Sequence, residues 1–178
     1  MKIKNIKIEW YGSYSLKDIG YNDNEDRYSL SDIELNDETK DYGIYQIYGN
    51  HPVYGTNVLL YIGKAQKQPF AKRISQENWE YNTDANNIKI YIGRIYNEKK
   101  YSDNIWEKMI DIAEKMLIYS HEPARNSSNI RTISRNEDKL KEFENVRVFN
   151  YGSYKSLMPE ISGEMWIKDE LNLILFGE

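Results

Sequence analysis

The sequence predicts an α+β fold: a small three-stranded antiparallel sheet flanked by helices, with extra strands or segments at both ends of the chain. Three observations carry this expectation. Two runs, YGIYQIY (42–48) and NVLLYIG (57–63), are rich in aromatic and β-branched residues, and the Gly- and Pro-bearing stretch GNHPVYGT (49–56) divides them. A third run, NIKIYIGRIY (87–96), alternates polar and apolar residues with the period of a strand. The stretch SDNIWEKMIDIAEKMLIYSHEP (102–123) sets Trp106, Met109, Ile110, Ala113 and Leu117 on one helical face, and Pro123 ends it.

Taken in order, the first strand falls where Ile6, Ile8 and Trp10 alternate with polar residues. Residues 18–41 are dense in Asp, Asn, Ser and Glu and read as loop with at most one helical turn. The two Tyr/Ile-rich runs form an antiparallel hairpin with a long loop. QPFAKRISQENWEY (68–81) starts a helix at Pro69, whose fixed φ suits the first helical position. After the long helix come a short charged helix, RNEDKLKEFEN (135–145), and two more strand candidates, VRVFNYG (146–152) and MWIKDELNLILFG (165–177). Tyr-Gly-Ser-Tyr occurs at 11–14 and again at 151–154, each time after a strand-like run. Two similar strand-end turns, neighbours in space, explain it more simply than duplication.

With 178 residues the chain suits one domain, long enough to bury a core. Its 40% hydrophobic and 29% charged residues are those of a soluble globular protein. No apolar run nears membrane-spanning length, and the N-terminus lacks the apolar stretch of a secretory signal, so no membrane partner is expected. The absence of Cys rules out disulfides and thiolate metal sites and suits a reducing cytoplasm. The net charge of −4 conceals an asymmetry. Residues 18–41 hold nine acids against Arg27 and Lys40, a net of −7, whereas residues 42–159 hold thirteen acids and seventeen bases, a net of +4. An acidic insert thus masks a mildly basic body, as an autoinhibitory or partner-regulated arm would.

Gly43-Ile44-Tyr45 and Tyr61-Ile62-Gly63 read almost as mirror images, and a second Tyr-Ile-Gly lies at 91–93. Residues 46–60 between the first two amount to fifteen, a hairpin's length, whereas reaching Tyr91 would require a helix in between. The hairpin places Tyr45 and Tyr61 on neighbouring strands within contact reach, so Tyr61 is the partner. Here the chain resembles the GIY-YIG nuclease family, whose motif is these two tripeptides on adjacent strands of a small antiparallel sheet. The resemblance implies an Arg in the following helix, matched by Arg73 in PFAKRIS. It implies a Glu on the next helix, matched by Glu114 in AEKMLI, and an Asn after a Pro, matched by Asn126 in EPARN. Lys64 matches a Lys common behind the second tripeptide, and Gly43 and Gly63 are the motif glycines. The match covers 41–129 as a catalytic core within one domain, leaving 1–40 and 130–178 as extensions that bring sequence recognition or dimerisation.

The implied activity is metal-dependent endonucleolytic cleavage of DNA, with RNA left open and with one Mg²⁺ or Mn²⁺ per site. Such hydrolysis needs an aligned water, an acceptor for its proton, and positive charge for the phosphoryl oxygens. Arg73 offers a planar, permanently charged fork for phosphate. Glu114 offers a hard oxygen ligand, and one carboxylate suffices for a magnesium ion that keeps its waters. Tyr45 is the base the resemblance favours, with Tyr61 orienting water and phosphate. A phenol of ordinary pKa about 10 takes a proton near neutrality only if cations such as Lys64 or Arg73 lower it. The two tyrosines can equally act as positioners, with metal-bound hydroxide as nucleophile. Asp111 shares a helix flank with Glu107 and Glu114 and reads as solvated, with a second ligand for the ion as the alternative. His51 and His121 have no partner at ligand spacing. Lys67, Lys72, Arg125, Arg131 and Arg135 flank the site as a phosphate-tracking surface. A silent nucleic-acid-binding or protein-interaction module is the rival to catalysis.

Overall fold

The computed structural model describes residues 3–19, 35–77, 87–96, 103–130 and 141–164. Their elements are β1 (Asn5–Tyr14), β2 (Gly43–His51), β3 (Gly55–Ala65), α1 (Phe70–Ser75), β4 (Lys89–Ile95), α2 (Asp103–His121), β5 (Arg147–Gly152) and β6 (Glu160–Ser162). The six strands form one curled, mixed sheet in the order β3-β2-β4-β1-β5-β6. This corrects the small three-stranded sheet with helical flanks and terminal extras. The hairpin β2–β3 and its neighbour β4 are antiparallel, but the sheet does not stop at β4.

The physical reason lies in β1. Its Ile6, Ile8 and Trp10 are buried while Asn5, Lys7 and Glu9 are exposed, which is the period-2 pattern of an interior strand with one open face. Both of its edges are then used: β4 pairs antiparallel and β5 parallel. Trp10 adds a side-chain tie across 140 residues, its Nε1–H donating to Asn150 Oδ1 at 2.8 Å. The two Tyr-Gly-Ser-Tyr copies are not similar turns: residues 11–14 continue β1 and pair with β4, whereas the second copy ends β5, where Gly152 pairs with Trp10 and the Ser153 amide donates to the Trp10 carbonyl.

Each face of the sheet carries its own core. The amphipathic α2 lays Met109, Ile110, Ala113, Met116 and Leu117 on Ile6, Ile8, Ile44 and Ile62. The opposite face packs Phe70, Ala71 and Ile74 of α1 on Tyr45, Ile47, Ile90 and Ile92. α1 starts one residue later than the sequence suggests, with Pro69 as its N-cap, and stops at Ser75, short of the expected end. Its first amides are satisfied by the loop before β2: Phe70 N–H by the Asp41 carbonyl and Ala71 N–H by that of Leu35. Residues 78–81 of the expected helix, residues 20–34 of the acidic segment, most of the charged helix and the strand candidate at 165–177 lie outside the described residues. Among the described residues no helix is long and apolar enough to cross a membrane.

Candidate functional site

The β2–β3 register sets Tyr45 opposite Gly63 and Tyr61 opposite Ile47. The two tyrosines are therefore diagonal neighbours on the α1 face, with ring centroids 6.1 Å apart. Gly63 is glycine for a packing reason: a Cβ there would run into the Tyr45 ring and hydroxyl and the Tyr61 ring. Gly43, at φ 144°, comes so near the Gly93 carbonyl of β4 that a Cβ would overlap it.

Tyr45 is 0% exposed, and its hydroxyl donates to Glu77 Oε1 at 2.7 Å. Arg73 holds the same oxygen at 2.8 Å through Nη1. Tyr61 is half-buried, and the Arg73 charge favours its ionised form without overcoming burial. Burial, then the Glu77 charge, push the Tyr45 phenol well above its ordinary 10, and Arg73 opposes them without winning. Burial and Glu77 raise Tyr61 as well. The downward shift that a Tyr45 base requires is thus reversed. Glu77 is the residue that sequence reasoning missed. Its signal was its spacing, four residues after Arg73, where helical ion pairs form.

Lys64 alternates with Gly63 and points to the other face, toward α2. Its ammonium bonds Asp111 Oδ1 and also Glu114 Oε2, the latter at 2.9 Å. Asp111 Oδ2 accepts from Lys115 at 2.7 Å. Asp111 is therefore the hub of an ion-pair network, not a merely solvated residue. Burial opposes its charge, but Lys115 and Lys64 outweigh that and hold its pKa below normal. Glu114 lies deeper, so burial wins and raises its pKa against the pull of Lys64. Burial opposes the Lys64 charge too, yet the two carboxylates keep that pKa above normal.

These two groups lie on opposite faces of β3, the outer strand of the sheet. Arg73 and Tyr61 both feel the Glu114 charge. Asn126, buried beside them, clasps the second tripeptide. Its Oδ1 accepts from the Ile62 amide and its Nδ2 donates to the Ile62 carbonyl, both at 2.9 Å. That amide positions β3 rather than entering the chemistry. Lys67, Lys72 and Arg125 are exposed nearby in sequence, on the β3–α1 turn, on α1 and after α2, whereas Arg131 and Arg135 lie outside the described residues. Both histidines are occupied elsewhere. His51 Nδ1 accepts from the Val53 and Tyr54 amides, and His121 bonds the Leu117 carbonyl and the Met158 amide.

Among the described residues no group of three or more His, Asp or Glu side chains could cage a metal ion. The donor set still suits a hard cation. Glu114 and Asp111, one helical turn apart, already gather around one positive nitrogen, so Lys64 Nζ stands where a cation is favoured. Glu114 would hold a magnesium or manganese ion, with Asp111 as the neighbouring oxygen donor. Comparison with known proteins finds no matching family model, no similar curated protein and no similar solved structure, so the resemblance to the GIY-YIG nucleases rests on the ordered residues themselves.

Proposed function

We propose that this chain is an endonuclease that hydrolyses phosphodiester bonds, with DNA as substrate and one divalent cation on Glu114. What supports this reading most is that Tyr45, Tyr61 and Arg73 gather on one face of the hairpin, while on the other face Lys64 of β3 holds Glu114 of α2. A bound divalent ion would supply an activated water and offset charge on the phosphoryl oxygens.

The rest is done by side chains. Arg73 is about one-third exposed (30%), so its fork can take a phosphate oxygen while Nη1 stays on Glu77. Tyr61, packed against the Tyr45 ring, would orient the water and phosphate through its phenolic hydroxyl. Tyr45 is a positioning residue, because its buried hydroxyl fixes the Glu77 carboxylate that in turn aims Arg73. Lys67, Lys72 and Arg125, all exposed, would supply further positive charge for the phosphate backbone. One site cuts one strand, so double-strand cleavage would take a homodimer or two successive nicks.

The rival reading is a silent nucleic-acid-binding or protein-interaction module. It gains from the fact that Arg73 and Glu114 already have partners, Glu77 and Lys64. Mg²⁺-dependent nicking of supercoiled plasmid separates the two. We expect wild type to nick and Arg73→Ala and Glu114→Ala to lose about a hundredfold or more, the scale of a lost transition-state contact. Tyr45→Phe should retain more activity than either. Wild-type protein that binds DNA and RNA yet nicks neither would establish the module.

A further inference from the structure

Lys64 is the most heavily committed cation of the site. Its ammonium comes from β3 and lies between two carboxylates of α2, with side chains of Lys64 and Asp111 27% and 36% exposed and Glu114 only 13%. A positive centre between hard oxygens is what a hydrated divalent cation would itself seek there. Two cations cannot share one carboxylate oxygen at that range without strong mutual repulsion. A buried carboxylate such as Glu114 also needs a counter-charge when no ion is present, and Lys64 provides it.

We propose that Lys64 is the resident counter-ion of Glu114 and competes directly with the divalent cation for that seat. This rests on Glu114 as the ion's ligand. Lys64 leaves Glu114 only in exchange for another positive charge, and its freed ammonium can then donate to a substrate phosphate. The site is thereby neutral when idle and recruits a second phosphate contact only when loaded. Ion and nucleic acid must then favour each other's binding, since linkage between two sites is reciprocal.

The test is a Mn²⁺ titration followed by electron paramagnetic resonance without nucleic acid, on wild type, Lys64→Gln, Lys64→Arg and the Lys64→Gln/Glu114→Gln double variant. Removing the competing charge should tighten Mn²⁺ binding about tenfold or more, an effect lost in the double variant and absent in Lys64→Arg. If Lys64→Gln binds Mn²⁺ no better than a wild type that does bind it through Glu114, the competition is refuted and the ion site survives. If no form binds Mn²⁺, both the competition and the Glu114 ligand are refuted. Should Lys64→Gln not fold, wild type still decides. Acetylation of Lys64, followed by mass spectrometry, should speed up several-fold on adding Mg²⁺ as the amine leaves its carboxylates. An unchanged rate overturns the proposal.

Discussion

At position 63 the chain carries no side chain because two phenol rings already fill the space. Gly63→Ala must move Tyr45 or bend β3, and Tyr45 is tied to Glu77 while β3 is tied to Asn126. We expect a loss of about 1–3 kcal/mol, the usual scale of overpacking, read as a lower urea midpoint. The near-ultraviolet tyrosine signal should change with it. This pair also shows what can be read from residues in order and what cannot. Tyr61, Arg73 and Glu114 could be named because each stands at a fixed place in a linear pattern. The role of Glu77 could not, since it depends on Tyr45 being buried, and the depth of a ring is set by α1 lying over it.

At the scale of elements, β3 is an outer strand that does not leave its edge open. The segment after α2 covers it, through the Ala124 and Arg125 amides on the Leu59 and Leu60 carbonyls and the Asn126 side chain on Ile62. A primary amide can imitate a peptide group here because it donates and accepts at once. Asn126→Ala leaves a buried donor and a buried acceptor of Ile62 unmet, at about 1–3 kcal/mol for each such group. Asn126→Asp keeps only the acceptor and should fall between Ala and wild type in chemical denaturation. The Asn was legible from its place behind Pro123, but its partner was not, because strand edges are defined only once the sheet is assembled.

At the scale of the molecule, His121 joins the end of α2 to the loop before β6. Nδ1–H donates to the Leu117 carbonyl and Nε2 accepts from the Met158 amide, so the neutral ring fits and a second ring proton would face an N–H. Burial holds its pKa below the ordinary 6.5. The unfolded chain therefore binds more protons below that value. The stabilising contribution is complete above pH 6.5 and is lost as pH falls toward the folded pKa. Urea midpoints taken at about pH 7.5 and about pH 5 should drop more for wild type than for His121→Gln. Periodicity and turn residues revealed most strands, but the sheet's extent was hidden. Parallel pairing of β1 with β5 joins segments some 140 residues apart and leaves no mark in either.

That pairing governs how the protein can be made. β1 leaves the ribosome some 140 residues ahead of β5, one of its two neighbours. Until β5 follows, Ile6, Ile8 and Trp10 lack their final surroundings, so the sheet is completed late, and contacts of such long sequence separation form slowly. A nascent chain stalled after α2 would carry most of the candidate nuclease residues but not the strand that completes the sheet around β1.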